Sequence, residues 1–154
     1  RELMLRIAND ICGEHGLGWS RRLQMVQAGL QGGGGFSPEV AAYLGKKYGL
    51  EPDMGDKPTA RVVEVLGTLA ARLKAQQAAG SDYYIGSGVT ALDIYSAAFM
   101  ALLRPLPQEV CEMRADTRAA FGLREARTEA ALDEVLLRHR DMMYARHLVL
   151  PLSL

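Results

Sequence analysis

The stretch Val89-Thr90-Ala91-Leu92-Asp93-Ile94, with the run from Tyr95 to Leu103 behind it, restricts this chain more than any other. Beyond Asp93 no charged residue occurs until Arg104. A helix built from such a run is apolar nearly all the way round and belongs at the centre of a bundle. Its first amides are then buried, with no water to accept their hydrogens. Thr90 and Asp93 have the spacing of a capping box, in which the Thr hydroxyl serves the amide of residue 93 and the carboxylate reaches back to the amide of residue 90. Val89 and Ile94 have the spacing of the hydrophobic staple that accompanies it. An acid there also suits the positive end of the helix dipole. Asp93 is therefore expected to hold structure. A general acid would want a cleft and a second titratable group, and none is near it in sequence. By analogy with lost caps, Asp93→Ala is expected to cost ~0.5–2 kcal/mol.

The remaining periodic segments also have the helical period. Leu3, Leu5, Ile7, Ile11 and Cys12 are read as sharing one helix face. A short helix is expected after Ser20, carrying Leu23, Met25, Val26 and Leu30, and ending at the glycines 32–35. Ser37-Pro38 is a helix start, a cap followed by proline at the first helical position, and Gly49 fits the end. The longest helix is expected over about Pro58 to Ala79, with Gly80 as its stop. Further helices are expected from Ala91 to before Pro105, around Asp116–Ala120, and from about Glu129 to His147. No strand pair with a tight turn is visible. The fold class is all-α, a helical bundle of about five to seven helices in one domain covering 1–154.

Formal net charge is +0, so the chain as a whole has no attraction for nucleic acid or anionic lipid. No apolar run approaches the ~20 residues of a membrane span. Cys12 and Cys111 are read as free thiols of a cytoplasmic protein. They and three scattered histidines lack zinc-ligand spacing, so no metal site is expected. The glycines 32–35 lack the Gly-Lys-Ser/Thr of a phosphate loop and read as a flexible connector. His139-Arg140-Asp141 matches the kinase catalytic triplet in letters alone, and Arg138, Arg140 and Arg146 read as a solvated helix face. No catalytic residue is assigned. The chain opens directly on a helical pattern at Arg1, without a cap, which reads as a piece of something longer.

A long helix followed by Ser81-Asp82-Tyr83-Tyr84-Ile85-Gly86-Ser87-Gly88-Val89-Thr90-Ala91-Leu92-Asp93 resembles the C-terminal helical domain of the glutathione S-transferase superfamily. In that family an aromatic-Ile/Leu-Gly-x-x-x-Thr-x-x-Asp segment precedes the central core helix. The resemblance covers Glu2 to about Leu150. Its opening, Ile11 to Leu23, and its closing, His139 to Leu152, look like a bacterial glutathione-transferase-like subgroup. The resemblance implies a thioredoxin-like domain before the helices, absent here, that binds glutathione as co-substrate and supplies the catalytic Ser, Tyr or Cys. This chain alone is then inactive. It contributes the pocket for a small apolar electrophile and part of a homodimer interface.

By the same resemblance, Trp19, Arg21 and Arg22 lie near the cleft between the two domains, where an arginine could meet a carboxylate of glutathione or substrate. Asn9 and Asp10 lie on the helix that lines the cleft and the dimer contact. The rival reading is a non-enzymatic protein-interaction module built on the same helical domain. A third is a stand-alone ligand binder using the surroundings of Trp19.

Overall fold

The computed structural model of the chain describes residues 1–152. Its helices in chain order are α1 Glu2–Cys12, α2 Leu17–Leu30, α3 Pro38–Lys47, α4 Lys57–Ala78 and α5 Ala91–Phe99. A 3-10 turn, Met100–Leu102, extends α5, and α6 Ala115–Phe121, α7 Ala126–Ala131 and α8 Glu134–Arg146 follow. The all-α expectation holds, and among the described residues the one β-type pairing is an isolated bridge between Cys111 and Leu152.

The helix ends follow local chemistry. Ser37 accepts the Val40 amide at the start of α3, with Pro38 at the first helical position. Gly49 and Gly80 take positive φ just past α3 and α4. The expected last helix is two helices. Glu125 caps α7 by accepting the amides of Arg127 and Thr128, and Asp133 caps α8 by accepting the amide of Val135. The break lets α7 pack on α4 while α8 packs on α5.

The main core joins Ile7 and Ile11 of α1, Leu17 of α2, Val62, Val65, Leu66, Leu69 and Leu73 of α4, and Tyr84. It is completed by Leu92 of α5 and by Val135 and Leu136 of α8. Each such side chain contributes about 1.5–3 kcal/mol on burial. Leu5 does not share the face of Ile7 and Ile11 but stands 57% exposed. Two residues from Ile7 it is turned about 200° around the axis. The centre of the bundle is also less enclosed than expected. α5 packs on α1 and α8, and buries Leu92, Asp93, Ser96 and Ala97. Its other face is open, with Ile94 at 41% and the preceding Val89 at 43% exposure.

Residues 103–125 contain little regular structure, and arginines tie down their carbonyls. Arg21 Nε donates to the Leu102 oxygen at 2.9 Å and an Nη to the Leu123 oxygen at 2.6 Å. Arg118 donates to the oxygens of Leu106 and Cys111. Arg140 donates to the Arg104 oxygen and is largely covered, so it does not belong to a solvated face with Arg138 and Arg146.

α2 begins at Leu17, before the expected start, and so takes in Gly18. A Cβ there would stand 2.0 Å from Phe99 Cε1, so the missing side chain is what lets α2 meet the end of α5. In the glycine run after α2, Gly35 also packs closely. Gly35 has φ +74, and a Cβ on it would lie 2.2 Å from the Met25 oxygen. Gly67, by contrast, has open space around it on the exposed side of α4. Gly18→Ala is expected to destabilise by about 1–3 kcal/mol. Gly67→Ala should stabilise by about 0.5–1 kcal/mol. Urea unfolding midpoints of the two variants check the pair, and shifts of the same sign would contradict the packing described.

Candidate functional site

Two places hold chemistry beyond packing. The first lies under the start of α5. Asp93 is fully buried. Its Oδ2 accepts the Thr90 amide at 2.8 Å and the Thr90 hydroxyl at 2.7 Å. Its Oδ1 accepts the Tyr84 amide at 2.9 Å and faces His139 Nε2 at 3.0 Å. Thr90 and Asp93 thus form the capping box expected from the sequence. Burial by itself would raise the carboxyl's pKa, but the donors from His139, Thr90 and Tyr84 outweigh it and hold it below the usual carboxylate range. With Asp93 ionised, the hydrogen bond at Oδ1 requires His139 to carry its proton on Nε2.

The ring of Tyr84 stands edge-on to His139 at 4.9 Å, and its hydroxyl pairs with Ser96 Oγ at 2.8 Å. Burial pushes the Tyr84 phenol far above its ordinary range, so it stays an O–H. Asp93, His139, Tyr84 and Ser96 are all buried. No substrate reaches this set, and its work is to join α5, α8 and the segment before α5. Sequence reasoning found Thr90 and Asp93 and missed His139. The signal was present: Val135, Leu136, His139 and Met143 occupy the buried face of α8. A histidine on such a face needs a partner.

The staple residues Val89 and Ile94 stand at the surface beside this set. Val89 and Ile94, with the exposed Tyr95, form the open side of α5.

The second place is the outer face of α2 and α3. The Trp19 ring stands edge-on to Tyr48 at 4.9 Å and faces His15 at 5.9 Å. The Arg22 guanidinium lies 5.9 Å from the centre of the Tyr48 ring, and one Nη donates to the Gly18 oxygen of its own helix. His15 holds a positive φ of 58°, and its carbonyl is fixed by donors from Arg61 and Ser20. Asn9 is exposed on α1, its amide oxygen filling the space where a Gly13 Cβ would be. Asp10 pairs with Arg61 at 2.6 Å.

Arg21 does not join this surface. It is 1% exposed and also donates to Gln24 Oε1, so no ligand carboxylate reaches it in this structure. Adjacent residues on a helix point about 100° apart, and that turn sends Arg21 inward while Arg22 faces out. Burial lowers the Arg21 pKa to about 10, partly offset by Glu129 and Glu125, so it remains a cation at neutral pH.

Among the described residues no three His, Cys, Asp or Glu side chains converge in a way that could hold a metal ion. No described helix is long and apolar enough to cross a membrane. Comparison with family models, with curated proteins and with solved structures finds no match to this chain.

The buried position of Asp93 raises what its loss should cost. Asp93→Ala leaves His139 and the amides of Tyr84 and Thr90 without their acceptor, and is expected to destabilise by about 3–5 kcal/mol rather than by a surface cap's share. The folded pKa of Asp93 lies below the unfolded value of about 3.9. Its contribution is therefore complete above that value and lost as pH falls through the folded pKa. Unfolding midpoints measured from neutral to acid pH should fall steeply below about pH 4 in the parent and less steeply in Asp93→Asn. Parallel profiles would contradict the assignment.

Proposed function

We propose that this chain works as the helical domain of a glutathione-transferase-like protein, with the reaction chemistry supplied by a thioredoxin-like domain that binds glutathione. The observation that carries the reading is the set built on Thr90 and Asp93. The motif on which the resemblance rests is also the device that seats the central helix. On this reading the glutathione thiolate attacks a small apolar electrophile, its pKa lowered by the first domain. The helical domain lends the apolar wall of the pocket and part of a homodimer contact. Trp19, Arg22 and Asn9 are the residues left to touch a co-substrate, since Arg21 is committed to its own chain. A cytoplasmic setting accords with two free thiols.

A second reading, a non-enzymatic interaction module, draws on the open apolar side of α5 formed by Val89, Ile94 and Tyr95. Such a side suits burial against another domain or protein.

The test is conjugation of glutathione to an aryl halide by the protein isolated at its native length, beside the present chain. The transferase reading expects conjugation above the spontaneous rate from the native-length protein and none from this chain. A native-length protein without conjugation would overturn it and leave the interaction module.

A further inference from the structure

We infer that the outer face of α2 and α3, centred on Trp19, Arg22 and Tyr48, is a docking surface for an acidic segment of a partner protein. This gives Trp19 and Arg22 a role that competes with the co-substrate contact named above, and it concerns a different face from the open side of α5.

The charge on this face is mainly positive, its acids being Glu39 in the first turn of α3 and Glu14 beside His15. α2 contains no acidic residue, and α3 has only Glu39, in its first turn, while it ends in Lys46 and Lys47 beside Tyr48. Both lysines are exposed, and neither they nor Arg22 have a carboxylate within ion-pair distance among the described residues. Several other arginines are taken up within the chain, Arg61 by Asp10 and Glu64, Arg104 and Arg124 by Glu129, Arg127 by Asp56, while Arg1, Arg6 and Lys57 also have no carboxylate within ion-pair distance among the described residues. Arg22 lies against the Tyr48 ring, and Lys46 and Lys47 immediately precede Tyr48 in the chain, so three cations without a carboxylate partner give this end of α3 a local positive field.

The residue types are those that carry binding energy. Trp, Tyr and Arg dominate the centres of protein interfaces. The three are already arranged, Trp19 edge-on to Tyr48 and Arg22 near its ring, so little side-chain freedom remains to be lost on docking. Among the described residues the Arg22 Nε and its second Nη make no hydrogen bond, which leaves them for a fork-like contact with a carboxylate. His15, 72% exposed by its side chain, extends the face beyond Trp19, with the Glu14 carboxylate 3.6 Å from its Nε2. Aromatic rings and cations also suit single-stranded nucleic acid. The chain's net charge of +0 favours the acidic peptide, because it lacks the basic surplus that phosphate binding uses.

Trp19 is the single tryptophan, so its emission reports this face alone. The probe is a synthetic peptide alternating glutamate with phenylalanine. Its controls are the lysine counterpart, an oligothymidylate of similar length, and the same titration with excess glutathione. The expected result is a saturable change with the glutamate peptide, weakened roughly tenfold when salt is raised from about 50 to about 300 mM. Arg22→Glu and Lys47→Glu should each weaken binding by roughly fivefold or more. Circular dichroism confirms the fold of Arg22→Glu, and Lys47→Glu supplies a second, exposed position. The controls should give no saturable change, and glutathione should not displace the peptide. Absence of saturation, an unchanged response in both variants, or tighter binding of the oligothymidylate would overturn the proposal. Displacement by glutathione would also overturn it, assigning the face to a small anion. Conjugation assays do not enter these outcomes, so the transferase reading fails or stands separately.

Discussion

Asp93 is an ionised carboxylate without contact with water, and it is tolerable only because donors surround it. Two of those donors are near in the chain, Thr90 at the mouth of α5 and the Tyr84 amide before it, and the third, His139 on α8, is 46 residues away. Satisfying the carboxylate therefore fixes where α5 begins, how the preceding segment folds back, and where α8 docks. Arg72 reinforces the same point by donating to the Tyr84 oxygen at 2.8 Å, so both sides of that residue's backbone are held. An apolar helix at the centre could rotate or slide against its neighbours at little cost. A buried carboxylate that must keep its donors removes that freedom.

The arginines do for the irregular part of the chain what Asp93 does for the helices. A backbone carbonyl outside a helix needs a donor once it is buried. Arg21 serves Leu102 and Leu123, and Arg118 serves Leu106 and Cys111. A planar guanidinium can reach two carbonyls at once, which a lysine cannot do in the same geometry. The same residue type thus holds loops together where it is buried and leaves charge available where, as at Arg22, it faces out.

Much of the fold was legible because its signals are local. The Thr90–Asp93 spacing, Ser37-Pro38 and the glycines after α3 and α4 act on their own turn of helix, and the helices start and stop within a few residues of them. What was hidden depends on distance or direction. The link from Asp93 to His139 spans 46 residues, and the apolar face around His139 marks a histidine in need of a partner without saying which partner. Arg21 and Arg22 are alike as letters, and only the rotation of α2 separates the buried clamp from the surface cation. The split of α7 from α8 was missed because the apolar pattern runs on through Leu132. The capping acid Asp133, not the pattern, places the break.

The account stands on the claim that Asp93 and His139 act on each other and not merely near each other. A double-mutant cycle with Asp93→Ala and His139→Ala, read by urea unfolding at neutral pH, measures that directly. The account predicts a coupling of about 1–3 kcal/mol, the double variant losing clearly less than the sum of the singles. Additive losses, within about 0.5 kcal/mol, would mean that the pair contributes nothing as a pair and that α8 is seated by apolar packing alone.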